Sequence, residues 1–230
     1  MTDTRTTPAA QSSGDGIVHA EVLHYLDGLR QALDAPLERI RERGQQDEIP
    51  IVNDEVGVLL EILVRAHRPS VVVEFGTAIG YSTAWLARGL TAGARIVSFE
   101  IDADRHALAA SLLADVATEG ILDLQLGDAL ELMRGEAGPV DLAFLDATKG
   151  EYRAYLEWVL EHMPPGGIVL VDNALMGGRV AGVAGVAGGG SWTEEDADGQ
   201  RAFNRAFVED PRLQATVLPV GDGLGFAVRR

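Results

Sequence analysis

The chain contains no cysteine. Disulfides, thiolate metal sites and cysteine nucleophiles are thereby excluded, while the redox compartment stays open. No apolar run approaches the ~20 residues that span a bilayer, which excludes a transmembrane helix and argues against a membrane partner. The stretch Met1–Gly16 is polar and lacks the apolar segment of a secretory signal, so the expectation is a cytoplasmic protein with a disordered tail over residues 1–16. Positive charge is scarce too: 19 basic against 35 acidic residues give a net charge of −16. A field of that sign repels phosphate backbones, so nucleic acid is a poor partner. The one basic cluster, Arg39–Arg41–Arg43, has the spacing of a solvated helix face. Lysine is the scarcest of all, with Lys149 alone among 18 arginines. A lysine can give up its proton when its surroundings lower its pKa, and an arginine cannot.

What is present suits a globular protein. A hydrophobic content of 47% supports a sizeable core, and 230 residues fall between one and two domains at roughly 150 residues each. We expect a single domain over 17–230. Val22, Leu23, Leu26, Leu29, Leu33, Leu37 and Ile40 have helical spacing with a break at Pro36, and Asn53-Asp54-Glu55 opens a further helix, so residues 17–66 form N-terminal helices. From Val71 the pattern alternates. Strands are predicted at 71–75, 95–99, 122–126, 140–145 and 168–171, with helices at 81–90, 103–117, 129–134 and 151–163 between them. Residues 174–192 form a mobile glycine-rich loop, followed by a polar helix over 193–208. Strands at 213–218 and 224–228, joined through Asp222-Gly223, make an antiparallel hairpin at the sheet edge. The fold class is α/β, with a mostly parallel seven-stranded sheet and helices on both faces.

The first strand runs into Glu74-Phe75-Gly76-Thr77-Ala78-Ile79-Gly80. Doubly wound sheets bind ligands at this turn. The middle glycine of the dinucleotide fingerprint is missing, and Glu74 would repel a diphosphate, so an oxidoreductase is the least favoured enzyme class. An acidic strand end before Gly-x-x-x-Gly suits a ligand with a cationic amino-acid head. Glu100, ending the second strand, can accept two ribose hydroxyls, and Gly127-Asp128-Ala129, ending the third, can face an adenine edge. Together these features fit S-adenosylmethionine (SAM). Taken singly, the glycine turn could be structural and Glu100 a solvated strand end.

The fourth strand ends in Asp146 and the fifth in Asp172-Asn173, on one edge of a parallel sheet. Two carboxylates brought together require a compensating cation, and Lys149 is the one nearby in sequence. Hard oxygen donors suit Mg²⁺ first, with Ca²⁺ or Mn²⁺ as alternatives. The other possibility is that Asp146 and Asp172 cap the following helices or bind the cofactor only.

Four stretches carry a resemblance that runs from about residue 20 to the C-terminus. They are Val73-Glu74-Phe75-Gly76-Thr77-Ala78-Ile79-Gly80-Tyr81-Ser82, then Phe144-Leu145-Asp146-Ala147-Thr148-Lys149-Gly150-Glu151-Tyr152, then Val171-Asp172-Asn173-Ala174-Leu175-Met176-Gly177-Gly178, and Pro219-Val220-Gly221-Asp222-Gly223-Leu224. The sequence resembles the cation-dependent SAM O-methyltransferases, similar to caffeoyl-CoA and catechol O-methyltransferases. The resemblance implies a Rossmann-like methyltransferase fold and a homodimer. It implies Asp146, Asp172 and Asn173 as metal ligands and Lys149 as general base. It further implies a SAM site lined by Glu74, Gly76, Thr77, Ser82, Glu100, Ala129 and Asp146. One departure is the loop after Asp172-Asn173, which offers few side chains to shape an acceptor over 181–190.

The expected reaction is methyl transfer to one hydroxyl of a vicinal-dihydroxy small molecule, in secondary metabolism. Cation binding favours the oxyanion, and a lysine beside it can take the proton. Trp192 or Met176 could wall the acceptor, or the loop could be an ordinary surface segment. Two rival functions are methylation of a modified tRNA nucleoside, which the net charge opposes, and SAM binding without catalysis, which the Asp146, Lys149, Asp172, Asn173 set opposes. The five histidines show no ligand spacing.

Overall fold

The computed structural model describes residues 20–116, 121–136, 138–183 and 192–230. The tail expected over residues 1–16 and the loop tip at 184–191 lie outside the described residues. By contacts the chain forms two compact units, one ending at Asp34 and one beginning at Ala35, so the N-terminal helical region divides between them. The first unit holds α1 (Ala20–Asp27), which leaves Tyr25 and Leu26 exposed. All that follows concerns the second unit.

It opens with α2 (Ala35–Gln46) and α3 (Asp54–His67). Asn53 starts α3 by accepting the Val56 N–H at 2.9 Å, which satisfies one of the donors a helix start leaves open. Five parallel strands follow, each leading into a helix or a helical turn. They are β1 (Val71–Phe75), β2 (Arg95–Glu100), β3 (Leu122–Leu126), β4 (Leu142–Leu145) and β5 (Ile168–Val171). The helices between them are α4 (Tyr81–Gly89), α5 (Ala103–Leu113), α6 (Ala129–Leu132) and α7 (Tyr152–His162). After α8 (Glu194–Glu209), β6 (Leu213–Leu218) and β7 (Leu224–Arg229) close the chain. The seven strands lie in the order β3-β2-β1-β4-β5-β7-β6, with β7 antiparallel to β5 and β6. This is the mostly parallel sheet that the alternating pattern predicts, in the Rossmann-like arrangement that the resemblance implies.

Period-2 alternation in β1 shows how the two faces fill. Val73 and Phe75 face α7, where Phe75 stacks on Tyr155 at 4.4 Å and meets the edge of Trp158 at 6.2 Å. Glu74 faces the opposite way, towards Thr83 of α4. Helices therefore cover both faces, and the parallel strands bring five C-terminal ends to one edge. Reversal of strand order between β1 and β4 opens a crevice there, as in other open α/β sheets.

Several boundaries move. The fourth strand begins at Leu142 rather than Val140, because the Asp141 carboxylate turns back to accept the Ser70 and Val71 N–H groups at 2.8 and 3.0 Å. The helix expected from Glu151 starts at Tyr152, behind a 3₁₀ turn over Lys149–Glu151. The front of the segment read as loop, Met176–Ala181, forms 3₁₀ turns broken at Gly177 and Gly178. α8 holds it: Arg201 donates to the Arg179 and Val180 carbonyls at 2.9 Å, and Asn204 to the Ala174 carbonyl at 2.6 Å.

Candidate active site

The crevice is a cleft of about 730 Å³, a volume typical of a small-molecule site. Its walls come from the ends of β1, β2, β3, β4 and β5, the turn before β7, and Pro50–Asn53 before α3. Six carboxylates line it (Glu100, Asp128, Asp146, Glu151, Asp172 and Asp222) against two cations, Arg105 and Lys149. Such a surface attracts a cation and repels a pyrophosphate.

At the β1 end the backbone forms the wall. Gly76 has φ +99°, and a Cβ there would stand 2.2 Å from the Asp146 carbonyl oxygen. The Ala78 N–H donates to Glu100 Oε2 at 2.7 Å and the Asp102 N–H to Oε1 at 2.9 Å, which locks the carboxylate. Each oxygen keeps a further lone pair, so two hydroxyls can still be received. Thr77 bonds Ser98 at 2.6 Å. Asp128 caps α6 by accepting the Leu130 N–H at 2.7 Å, which puts Ala129 on the wall. Gly76, Thr77, Ser82, Glu100, Ala129 and Asp146 thus all line the cleft as expected.

Glu74 does not. It is fully buried behind that wall, accepting from Thr83 at 2.5 Å and Ser98 at 2.6 Å. The pleat turns its side chain towards α4 rather than over the strand end. Burial pushes its carboxyl up, against the Ser82, Ser98 and Thr83 hydroxyls, and its Oε1 has no hydrogen-bond partner.

At the other end, Lys149 Nζ meets three acceptors: Asp146 Oδ1 at 3.0 Å, Asn173 Oδ1 at 2.6 Å and Tyr152 Oη at 2.5 Å. The ammonium also lies 4.9 Å from the Tyr152 ring and 5.6 Å from the Trp192 ring, within cation–π range. Asp172 is buried, its Oδ1 is unpartnered, and its Oδ2 receives the Asn173 amide at 3.3 Å. The structure therefore brings Asp146, Lys149, Asp172 and Asn173 together. It also removes helix capping as their purpose, since neither the 3₁₀ turn at Lys149–Glu151 nor the one at Met176–Ala181 has a side-chain cap.

A family model described as O-methyltransferase matches residues 31–230. The chain belongs to this O-methyltransferase family. The catechol O-methyltransferase of Niastella koreensis is 30% identical over 186 residues, covering 77% of this chain and 81% of the relative. An O-methyltransferase from Bacillus cereus, solved in complex with SAH, is 28% identical with a TM-score of 0.79, covering 91% of this chain and 97% of that one. One from Streptomyces achromogenes, involved in tomaymycin synthesis and solved in complex with SAM, is 27% identical with a TM-score of 0.78, covering 91% and 96%. The protein is a SAM-dependent O-methyltransferase. Among the described residues of this methyltransferase, no helix is long and apolar enough to cross a membrane.

The methyltransferase's residues fit a divalent cation on chemical grounds. Asp146 and Asn173 offer a carboxylate and an amide oxygen, both hard donors, which the Lys149 ammonium already draws together. The buried, unpartnered Asp172 Oδ1 offers a third. Among the described residues, no group of three or more His, Asp or Glu side chains is arranged to hold a metal.

Burial first, and then the neighbouring Asp146, push the Asp172 carboxyl up to about 7. A carboxyl raised in the fold stabilises it fully below the unfolded value, and that contribution is lost as pH rises through the folded one. Asp172→Asn should therefore melt above wild type in the cation-free protein at pH 8. Its advantage should grow between about pH 4 and pH 7 and then level off; a constant offset across that window in calorimetry would contradict it.

Sequence reasoning missed Asp222, Tyr155, Arg105 and Pro50–Val52 as cleft residues. In the sequence Asp222 has the signal of a turn and falls in a stretch that carries the resemblance, with nothing that marks it for the cleft, and Pro50–Val52 lie in a loop with no local signal. Trp192 does line the cleft, whereas Met176 is fully buried and forms no part of its wall. Three histidines have a structural role: His67, His106 and His162 bond backbone carbonyls.

Proposed function

We propose that the enzyme methylates one hydroxyl of a vicinal-dihydroxy, catechol-like small molecule with the help of a divalent cation, Mg²⁺ first, in secondary metabolism. One observation carries this: the Asp146 and Asn173 oxygens converge on the Lys149 ammonium, beside Asp172, whose buried Oδ1 has no partner. The catechol O-methyltransferase relative and the tomaymycin-synthesis relative support acceptor and setting. A homodimer in the cytoplasm completes the proposal; sedimentation should give twice the chain mass.

Asp146, Asp172 and Asn173 would hold the cation, which when bound favours the oxyanion of a chelating hydroxyl. SAM supplies an electrophilic methyl on a cationic sulfur. The chain's own residues do the rest. Glu100 would receive the ribose hydroxyls, and the acidic wall suits the cofactor's positive charge. Lys149 would accept the acceptor's hydroxyl proton at Nζ. Tyr152 Oη stays beside the resulting ammonium as an acceptor, so the proton is stabilised where it arrives. Trp192 and Pro50–Val52 narrow the cleft and limit water.

Turnover of catechol with SAM should fall at least a hundredfold after treatment with a chelator and return on adding Mg²⁺. Unchanged turnover in the chelator would overturn metal dependence. A full screen of catechols without methyl transfer, with simple monohydroxy acceptors turned over instead, would overturn the acceptor class.

A further inference from the structure

Asp222 belongs to the turn that joins β6 to β7, where its sequence signal is that of a hairpin. Its side chain does something else. It reaches the cleft and receives the Gly177 N–H on Oδ1, while its Oδ2 lies 3.5 Å from Asn173 Nδ2. The backbone ties the same two segments, through Ala174 N–H to the Gly223 carbonyl at 2.8 Å and Leu175 N–H to the Asp222 carbonyl at 2.9 Å. The turn is thus fastened to the segment carrying Asn173, and its carboxylate faces the Asn173 amide.

An asparagine amide has two unlike ends, and a half-turn about its last bond exchanges them. Asn173 Nδ2 faces two carboxylates, Asp172 Oδ2 at 3.3 Å and Asp222 Oδ2 at 3.5 Å. Its Oδ1 faces the Lys149 ammonium at 2.6 Å. The flipped amide would set its oxygen against both carboxylates and its NH₂ against the ammonium, unfavourable on every side. Asp172 alone is a weak guide, because it is itself a member of the cation-binding set and its oxygens are drawn to the same point. Asp222 stands outside that set.

We infer that Asp222 is a positioning residue: its carboxylate holds the NH₂ end of Asn173, so that the oxygen end is presented to the cation corner. This rests on the proposed function for the identity of the cation, but the orientation also governs the Asn173–Lys149 bond. The role goes through Asn173, which sets up a test that separates orientation from mere support of the turn.

The test is a double-mutant cycle on the full chain, read by direct Mn²⁺ titration with electron paramagnetic resonance and, in parallel, by kcat. Asp222→Asn in wild type should weaken Mn²⁺ binding about tenfold, with SAM affinity held within about twofold. In an Asn173→Asp background the ligand has two equal oxygens and no orientation to lose, so Asp222→Asn should then leave Mn²⁺ binding unchanged or tighten it. Equal losses in both backgrounds would make Asp222 a support of the turn and overturn the inference. Should wild type take up no Mn²⁺, the metal half of the proposed function fails. The cycle in kcat then decides Asp222 alone: a loss confined to the Asn173 background upholds it, and equal losses reject it.

Discussion

Lys149→Ala should lower kcat by about 10²–10⁴-fold, the usual worth of a positioned base, while SAM affinity changes less than about threefold. The split follows from place. Lys149 stands at the Asp146–Asn173 end of the cleft, bonded to both, while Glu100, Thr77 and Ala129 line the β1–β3 end. Lys149→Arg should fail almost as badly despite keeping the charge. A guanidinium does not release its proton, and its flat fork cannot replace one nitrogen that serves three acceptors around it. The variants should be compared by kcat at saturating SAM and by calorimetric titration of SAM. Parallel loss of turnover and SAM affinity would make Lys149 a structural residue. A Lys149→Arg enzyme with near-normal turnover would show that charge suffices and that no proton passes through Nζ.

Gly76→Ala should be strongly damaging for a single added methyl group. The added carbon would stand 2.2 Å from the Asp146 carbonyl oxygen, a backbone atom that cannot swing aside, and φ is +99°. Overpacking of roughly 1–3 kcal/mol adds to backbone strain of about 1–3 kcal/mol. At about 2–4 °C per kcal/mol for a chain of this size, melting should drop by roughly 4–24 °C. The β1 turn and the β4 end must also part, which spoils the SAM site, so SAM should no longer raise the melting temperature. Gly93→Ala is the control: its φ is +88°, yet a Cβ there meets nothing within 4 Å. It should show the strain alone and keep the SAM response. If both variants melt alike and both respond to SAM, the close approach at Gly76 is unimportant.

The sheet was readable because its strands are short β-branched or apolar runs with helices between them, and all seven begin and end within two residues of expectation. Val71–Phe75 and Ile168–Val171 needed only hydrophobic continuity and their flanking breakers. The site was readable in part for a geometric reason: strand ends of a parallel sheet share an edge, so Asp146 and Asp172 had to approach each other. Side-chain direction was less accessible. Glu74 sits one residue short of the strand end, and the pleat decides whether it enters the cleft or the layer beneath α4. Contacts between remote segments were invisible. Pro50–Val52 became a wall only through packing, and Asp222 met Asn173 across 49 positions because β7 lies antiparallel beside β5. The 3₁₀ turns at Met176–Ala181 escaped notice because glycine content spoke for loop, whereas Arg201 and Asn204 of α8 hold that backbone in place.

Diffraction from crystals grown with SAM and soaked in Mn²⁺, recorded at the manganese edge, tests the central claim most directly. The expected result is one anomalous peak bounded by Asp146, Asp172 and Asn173, with oxygens at roughly 2.0–2.3 Å, and Lys149 Nζ shifted off the Asp146 and Asn173 oxygens it now holds. A soaked crystal with no peak at that corner, and with Lys149 still bonded to both residues, would contradict the account.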